Sequence, residues 1–169
     1  MNEIEKIHNL FLEEAYKSPM LLNDLANMER YIAESYSGRS LIELLQNADD
    51  ACANSFLIKK VSNNSFVVAN DGREFNIEDL NALCRSGAST KKRKGTTIGY
   101  RGIGFKSVVN YASNVHLYSG DIKVSFSKKE TSKLLPDSKV VPLIRVPHLF
   151  CGNKYIDEIK KILQEGYTT

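Results

Sequence analysis

The stretch Leu41-Ile-Glu-Leu-Leu-Gln-Asn-Ala-Asp-Asp-Ala51 decides how the rest of the chain is read. Leu41, Leu44, Leu45 and Ala48 recur at the three-and-four spacing of an amphipathic helix. Glu43, Asn47 and Asp50 fall at i, i+4 and i+7, which stacks them in one column on the opposite face. No Lys or Arg stands in that column to pair with them. Three oxygen-bearing side chains in register suit a hard cation, a water to be activated, or a ligand with hydrogen-bond donors. A solvated polar face is the plainer alternative, and this stretch alone leaves both open. Ser40 stands at the N-cap position with Glu43 three residues on, so Glu43 could also simply close a capping box.

Upstream, Ile4, Ile7, Leu10, Phe11 and Ala15 predict an amphipathic helix over 2–16. Ser18-Pro19 interrupts it, and a second helix is expected from about Leu22 to Ser35. Downstream, 55–62 and 65–69 read as strands joined by Asn63-Asn64, a β-hairpin. Asn70-Asp-Gly72 is a turn, and Asn76 caps a short helix from Ile77 to Cys84. A long polar loop covers 85–98. Phe105 to Ala112 is expected to be helical. Val115–Tyr118 and Ile122–Phe126 form a second hairpin, 127–139 is a polar loop, and Val140–Val146 is a strand. A last helix runs from about Lys154 to Glu165. The expected class is α+β, with helices on one face of a mainly antiparallel sheet.

Composition narrows the function classes. At 169 residues one domain is expected, and 42% hydrophobic with 25% charged residues is ordinary for a globular protein. No apolar run approaches the roughly 20 residues of a membrane span, and the N-terminus lacks an apolar signal segment. Cys52, Cys84 and Cys151 are scattered and odd in number, which fits a reducing cytoplasmic compartment better than a disulfide framework. A net charge of +3 does not by itself argue for nucleic acid.

Gly99-Tyr-Arg-Gly-Ile-Gly-Phe-Lys-Ser107 places three glycines at a helix start, where the backbone can approach an anion and aim N–H groups at it. Its spacing matches neither the dinucleotide fingerprint nor the common triphosphatase phosphate loop. Four basic residues, Lys91 to Lys94, lie just upstream. A tight helix start with a solvated basic loop is the plain reading of both.

The order is an acid–amide–acid helix, a strand ending in Asn-Asp-Gly, a long loop, and a glycine-rich helix start. It resembles the GHKL ATPase superfamily of gyrase, the ninety-kilodalton heat-shock chaperones, sensor histidine kinases and the MutL proteins. The likeness covers about residues 35–126. In wording it is nearest the sacsin and NO VEIN branch of chaperone-like ATPases, at 43–51, 86–90 and 98–108. The resemblance implies the Bergerat two-layer α/β sandwich.

It also implies roles. Glu43 would activate the attacking water, Asn47 would bind Mg2+, and Asp50 would line the site. The family's second motif reads Asp-x-Gly-x-Gly. Aligned on Gly72, the adenine-reading position is Asn70, with Asp71 the alternative by a one-residue shift, and Glu74 replaces the second glycine. Gly99, Gly102, Ile103, Gly104 and Phe105 would hold the triphosphate, with Lys106 adding a point charge. Residues 85–98 would be the ATP lid, hinged at Ser86 and Gly87. Thr168 would stand on the adenine side, at the start of a terminal strand, so that 1–169 would be a truncated fragment of a larger protein.

The implied function is ATP binding with Mg-dependent hydrolysis, in a chaperone-like or defence-type multidomain protein. The implied partners are ATP and ADP, and a homodimer formed with ATP in the full-length protein; client and effector are unspecified. A nucleotide-operated switch with little turnover is the first alternative. A nucleic-acid processing ATPase of the MutL or topoisomerase sort is the second.

Overall fold

The computed structural model describes residues 2–85 and 104–169. The chain opens with α1 (Glu3–Lys17), whose N-cap Asn2 and Glu5 form a reciprocal capping box. Pro19 does not merely stop this helix. It occupies the first turn of α2 (Pro19–Ser35), where its missing N–H has no cost. The helix α3 spans Ser40–Asp50. A hairpin follows, β1 (Phe56–Ser62) antiparallel to β2 (Ser65–Asn70). Next comes α4 (Ile77–Cys84), with Asn76 and Asp79 forming its capping box.

Gly104–Asn110 is a 3-10 helix, tighter than the α-helix expected there. The second hairpin pairs β3 (Asn114–Ser119) with β4 (Ile122–Ser127), turning at Gly120, whose φ of +52° favours glycine. The expected loop 127–139 contains a helix, α5 (Lys128–Leu134), started by the Ser127 side chain accepting from the Glu130 N–H. Its short length and weak apolar periodicity hid it. Val140–Val146 is not a strand. The strand instead is β5 (His148–Leu149), paired with β4. Val141, Leu143, Ile144 and Val146 are buried all the same, so their apolarity reports core and not ladder. The last helix is α6 (Ile156–Gln164).

The class is α+β, as expected. Among the described residues the strands form two antiparallel sheets, β1-β2 and β3-β4-β5, and not one. The main core packs α1 and α4 on the second sheet, through Phe11, Leu80, Leu83, Val124 and Phe126, with Leu143 and Ile144 closing it. The first sheet is tied to α6 by the Lys59–Glu158 ion pair at 2.5 Å, and to Tyr155 just before it by a Ser65–Tyr155 hydrogen bond at 2.7 Å.

Residues 168–169 lie between the two sheets. Asn70 N–H donates to the Thr169 carbonyl, and Thr169 N–H donates to the Asn70 carbonyl. The Thr169 and Ser119 hydroxyls are 2.5 Å apart. This small bridge joins the end of β2 to the end of β3. No described helix is long and apolar enough to cross a membrane.

Candidate functional site

The helix α3 is rotated from the position its apolar stripe predicts: Ala48 is buried and Leu44 half-buried, but the other two stripe residues are not. Leu41 and Leu45 are each 49% exposed, and Ile42 is exposed too. Ser40, Glu43 and Ala48 are buried, and Asn47 and Asp50 are half-buried. The polar column therefore faces inward. Ser40 is not the N-cap: Arg39 holds that position, and the Ser40 hydroxyl donates to the Ser107 carbonyl at 3.3 Å. The capping-box alternative for Glu43 falls with it. Ser40 thus seats α3 on the 3-10 helix that follows the glycine-rich stretch.

A cavity of about 660 Å3 opens beside this helix. Asn47 and Asp50 line it from α3, Ala51 from the C-cap that follows, Asn70 from the end of β2, and Phe105 from the 3-10 helix. Val68, Phe75, Val115, Tyr118 and Ile162 supply apolar wall. Thr169 also reaches it. Polar groups from several elements, among them Asn47, Asp50, Asn70, Arg73 and His116, are set in the apolar wall, and the volume lies within the range of about 300–1,000 Å3 usual for small-molecule sites.

Glu43 does not line this cavity. It is 8% exposed, one helical turn before Asn47, with Arg39 3.8 Å from its carboxylate.

The Asn70–Gly72 turn is built tightly. The Asn70 side-chain oxygen accepts from the Gly72 N–H at 3.0 Å. A Cβ on Gly72 would lie 2.7 Å from the Ala51 carbonyl oxygen, so only glycine lets this turn touch the end of α3. Asp71 points elsewhere. Its carboxylate accepts from the Asn54 and Ser55 N–H groups at 2.7 and 2.8 Å, and these bonds hold its pKa below the usual carboxylate value. Asp71 is therefore a loop tether, and of the two neighbours only Asn70 lines the cavity. Thr168 donates its hydroxyl to the Gly72 carbonyl at 2.6 Å, which roofs the turn. Arg73 pairs with Asp79 at 2.7 Å at the cavity rim, an arrangement the sequence reading missed.

Ser86, Gly87, Gly99, Gly102 and Ile103, and all but the first residue of the lid span 85–98, lie outside the described residues. Gly104 begins the 3-10 helix and Phe105 reaches the cavity. Lys106 does not: it is 4% exposed, and its Nζ is 3.5 Å from the Arg85 carbonyl. The Ser107 hydroxyl is buried without a hydrogen-bond partner among the described residues. Those residues hold no group of three or more His, Cys, Asp or Glu side chains suited to a metal.

Fold and site together define an α+β domain with a largely apolar cavity, whose polar lining includes Asn47 and Asp50 of α3. No family model matches the chain, and no solved structure matches it. Among curated proteins it is similar to Protein NO VEIN of Arabidopsis thaliana, 38% identical over 120 residues. That likeness covers 64% of this chain and 4% of the plant protein, so the chain spans a small part of its relative.

Proposed function

We propose that this chain binds ATP with Mg2+ in the cavity beside α3 and hydrolyses it, as a module of a larger chaperone-like ATPase with a Bergerat-type core. The observation that carries the reading is convergence. Asn47 and Asp50, Asn70, and Phe105 come from separate stretches of sequence and line one cavity.

In this reading Asn47 offers an amide oxygen to the metal, with Asp50 on the same wall. One amide oxygen suffices for a hard cation whose remaining ligands are phosphate oxygens and water. Bound magnesium supplies charge neutralisation at the phosphates. Asn70 presents its amide to the base, whose flat faces meet apolar wall. The glycine-rich stretch that ends at Gly104 is assigned the triphosphate, with Phe105 next to it on the cavity wall.

Glu43 is the candidate base. It must reach the attacking water directly or through one more. The expected result is that Glu43→Ala keeps Mg-dependent ATP binding and loses turnover by at least about a hundredfold. Equal rates for wild type and variant would remove Glu43 from the chemistry. A second reading, a nucleotide-operated switch with little turnover, is favoured by Glu43 lying outside the cavity wall. It predicts tight binding with negligible phosphate release in the wild type itself. An intracellular setting accords with either reading.

A further inference from the structure

Two opposite charges are buried together away from the cavity. Lys106 is 4% exposed on the 3-10 helix, and Glu29 is 3% exposed on α2. Both line a void with no room for a water molecule, closed by Leu25, Pro142 and Ile144. The two Glu29 carboxylate oxygens accept the Leu143 and Ile144 N–H groups at 2.6 and 2.8 Å. Arg145 borders the same void but directs its charge outward. It donates to Glu14 at 2.7 Å and to the Cys84 carbonyl at 3.0 Å, and lies over the Phe11 ring. Glu14 thus answers Arg145, and Glu29 is the acid left to answer Lys106.

We propose that Lys106 is a positioning residue whose buried ammonium balances the Glu29 carboxylate in this dry void, fixing the 3-10 helix onto α2 instead of ligating phosphate. The consequence for a nucleotide rests on the reading above; the charge pair does not. A second tie between the same elements supports it: the Asn110 side-chain amide donates to the Ala33 carbonyl of α2. Burial raises the Glu29 pKa and lowers that of Lys106, while each charge opposes the shift of the other. Among the described residues, the other charged or titratable groups these two face are Lys128 from α5 for Glu29, and the Cys84 thiol and Arg145 for Lys106.

Lys106 and Glu29 make no direct ion pair, but removing one of two opposite charges that line a void without water still leaves the other uncompensated. The test is a double-mutant cycle on nucleotide-free protein, with Lys106→Met made in the wild type and in Glu29→Gln. The expected loss is roughly 6–20 °C in Tm in the wild type and at most about 3 °C in the Glu29→Gln background. The wild-type loss should also shrink as pH falls through the Glu29 pKa, which burial raises, because the protonated acid needs no counter-charge. This pH series needs only the single variant. Equal losses in both backgrounds, or a loss that does not change with pH, would overturn the pair. So would a Lys106→Met protein that keeps its Tm and loses ATP affinity at least tenfold, since that marks a phosphate ligand. If the wild type binds no nucleotide, the ATP reading fails while the Tm cycle still decides the pair.

Discussion

Thr169 and Asn70 exchange two backbone hydrogen bonds, at 2.8 and 3.2 Å, on the edge of β2 that β1 leaves open. Beside this exchange the Thr168 hydroxyl closes on the Gly72 carbonyl at 2.6 Å. The end of the last described segment therefore braces the turn that carries Asn70 to the cavity. Thr168→Val should remove the side-chain bond and destabilise the protein by about 1 kcal/mol. Thr168→Ser should lose much less. Denaturant unfolding reads the difference, and identical midpoints for all three proteins would contradict the brace.

The same turn meets α3 through Gly72. An added methyl would sit 2.7 Å from the Ala51 oxygen and 2.9 Å from its Cβ. Gly72→Ala should cost about 1–3 kcal/mol through overpacking. Urea unfolding tests this, and a cost below a few tenths of a kcal/mol would show that the turn is free to move.

Asp71 and Asn70 should separate cleanly. The Asp71 pKa is held below 3.8 in the folded state by the N–H groups it accepts. Its contribution to stability is thus complete above the unfolded value near 3.8, and is lost as pH falls through the folded value. Asp71→Asn should flatten the acid limb of the stability curve below about pH 4 and leave preference for ATP over GTP unchanged. Asn70→Ala should do the reverse, weakening that preference at unaltered acid stability. Loss of base preference in Asp71→Asn would return Asp71 to the binding site.

The thiols should differ sharply. Cys84 is buried at the end of α4, and burial pushes its pKa up to about 12. Cys52 and Cys151 are exposed. Iodoacetamide at pH 8 should label the two exposed thiols on the native protein and reach Cys84 only after denaturation. Rapid native labelling of all three, read by mass spectrometry, would contradict the packing of α1 and α4.

Much of this was legible in the residues. The hairpin at Asn63-Asn64 and the helix Ile77–Cys84 with its Asn76 cap lie where turn and capping chemistry put them, because both signals are local. The column Glu43, Asn47, Asp50 was legible as well. Its direction was not: Leu41 and Leu45 imitate a core stripe, and only tertiary packing turns α3 inward on Asn47 and Ala48. Val140–Val146 was misread for a related reason, since buried apolar residues need not pair in a ladder. Lys106 gave no local sign that its partner is Glu29, seventy-seven positions earlier. The Asp71 tether was equally silent, since a turn aspartate looks the same whether it binds its own loop or a ligand.

The most direct measurement is calorimetric titration of ATP, ADP and GTP with Mg2+ into the wild type and Asn47→Ala. The account predicts one adenine-nucleotide site in the wild type that depends on magnesium, is weak for GTP, and weakens at least tenfold in Asn47→Ala. Absence of binding by the wild type, or equal affinity in the variant, would contradict it.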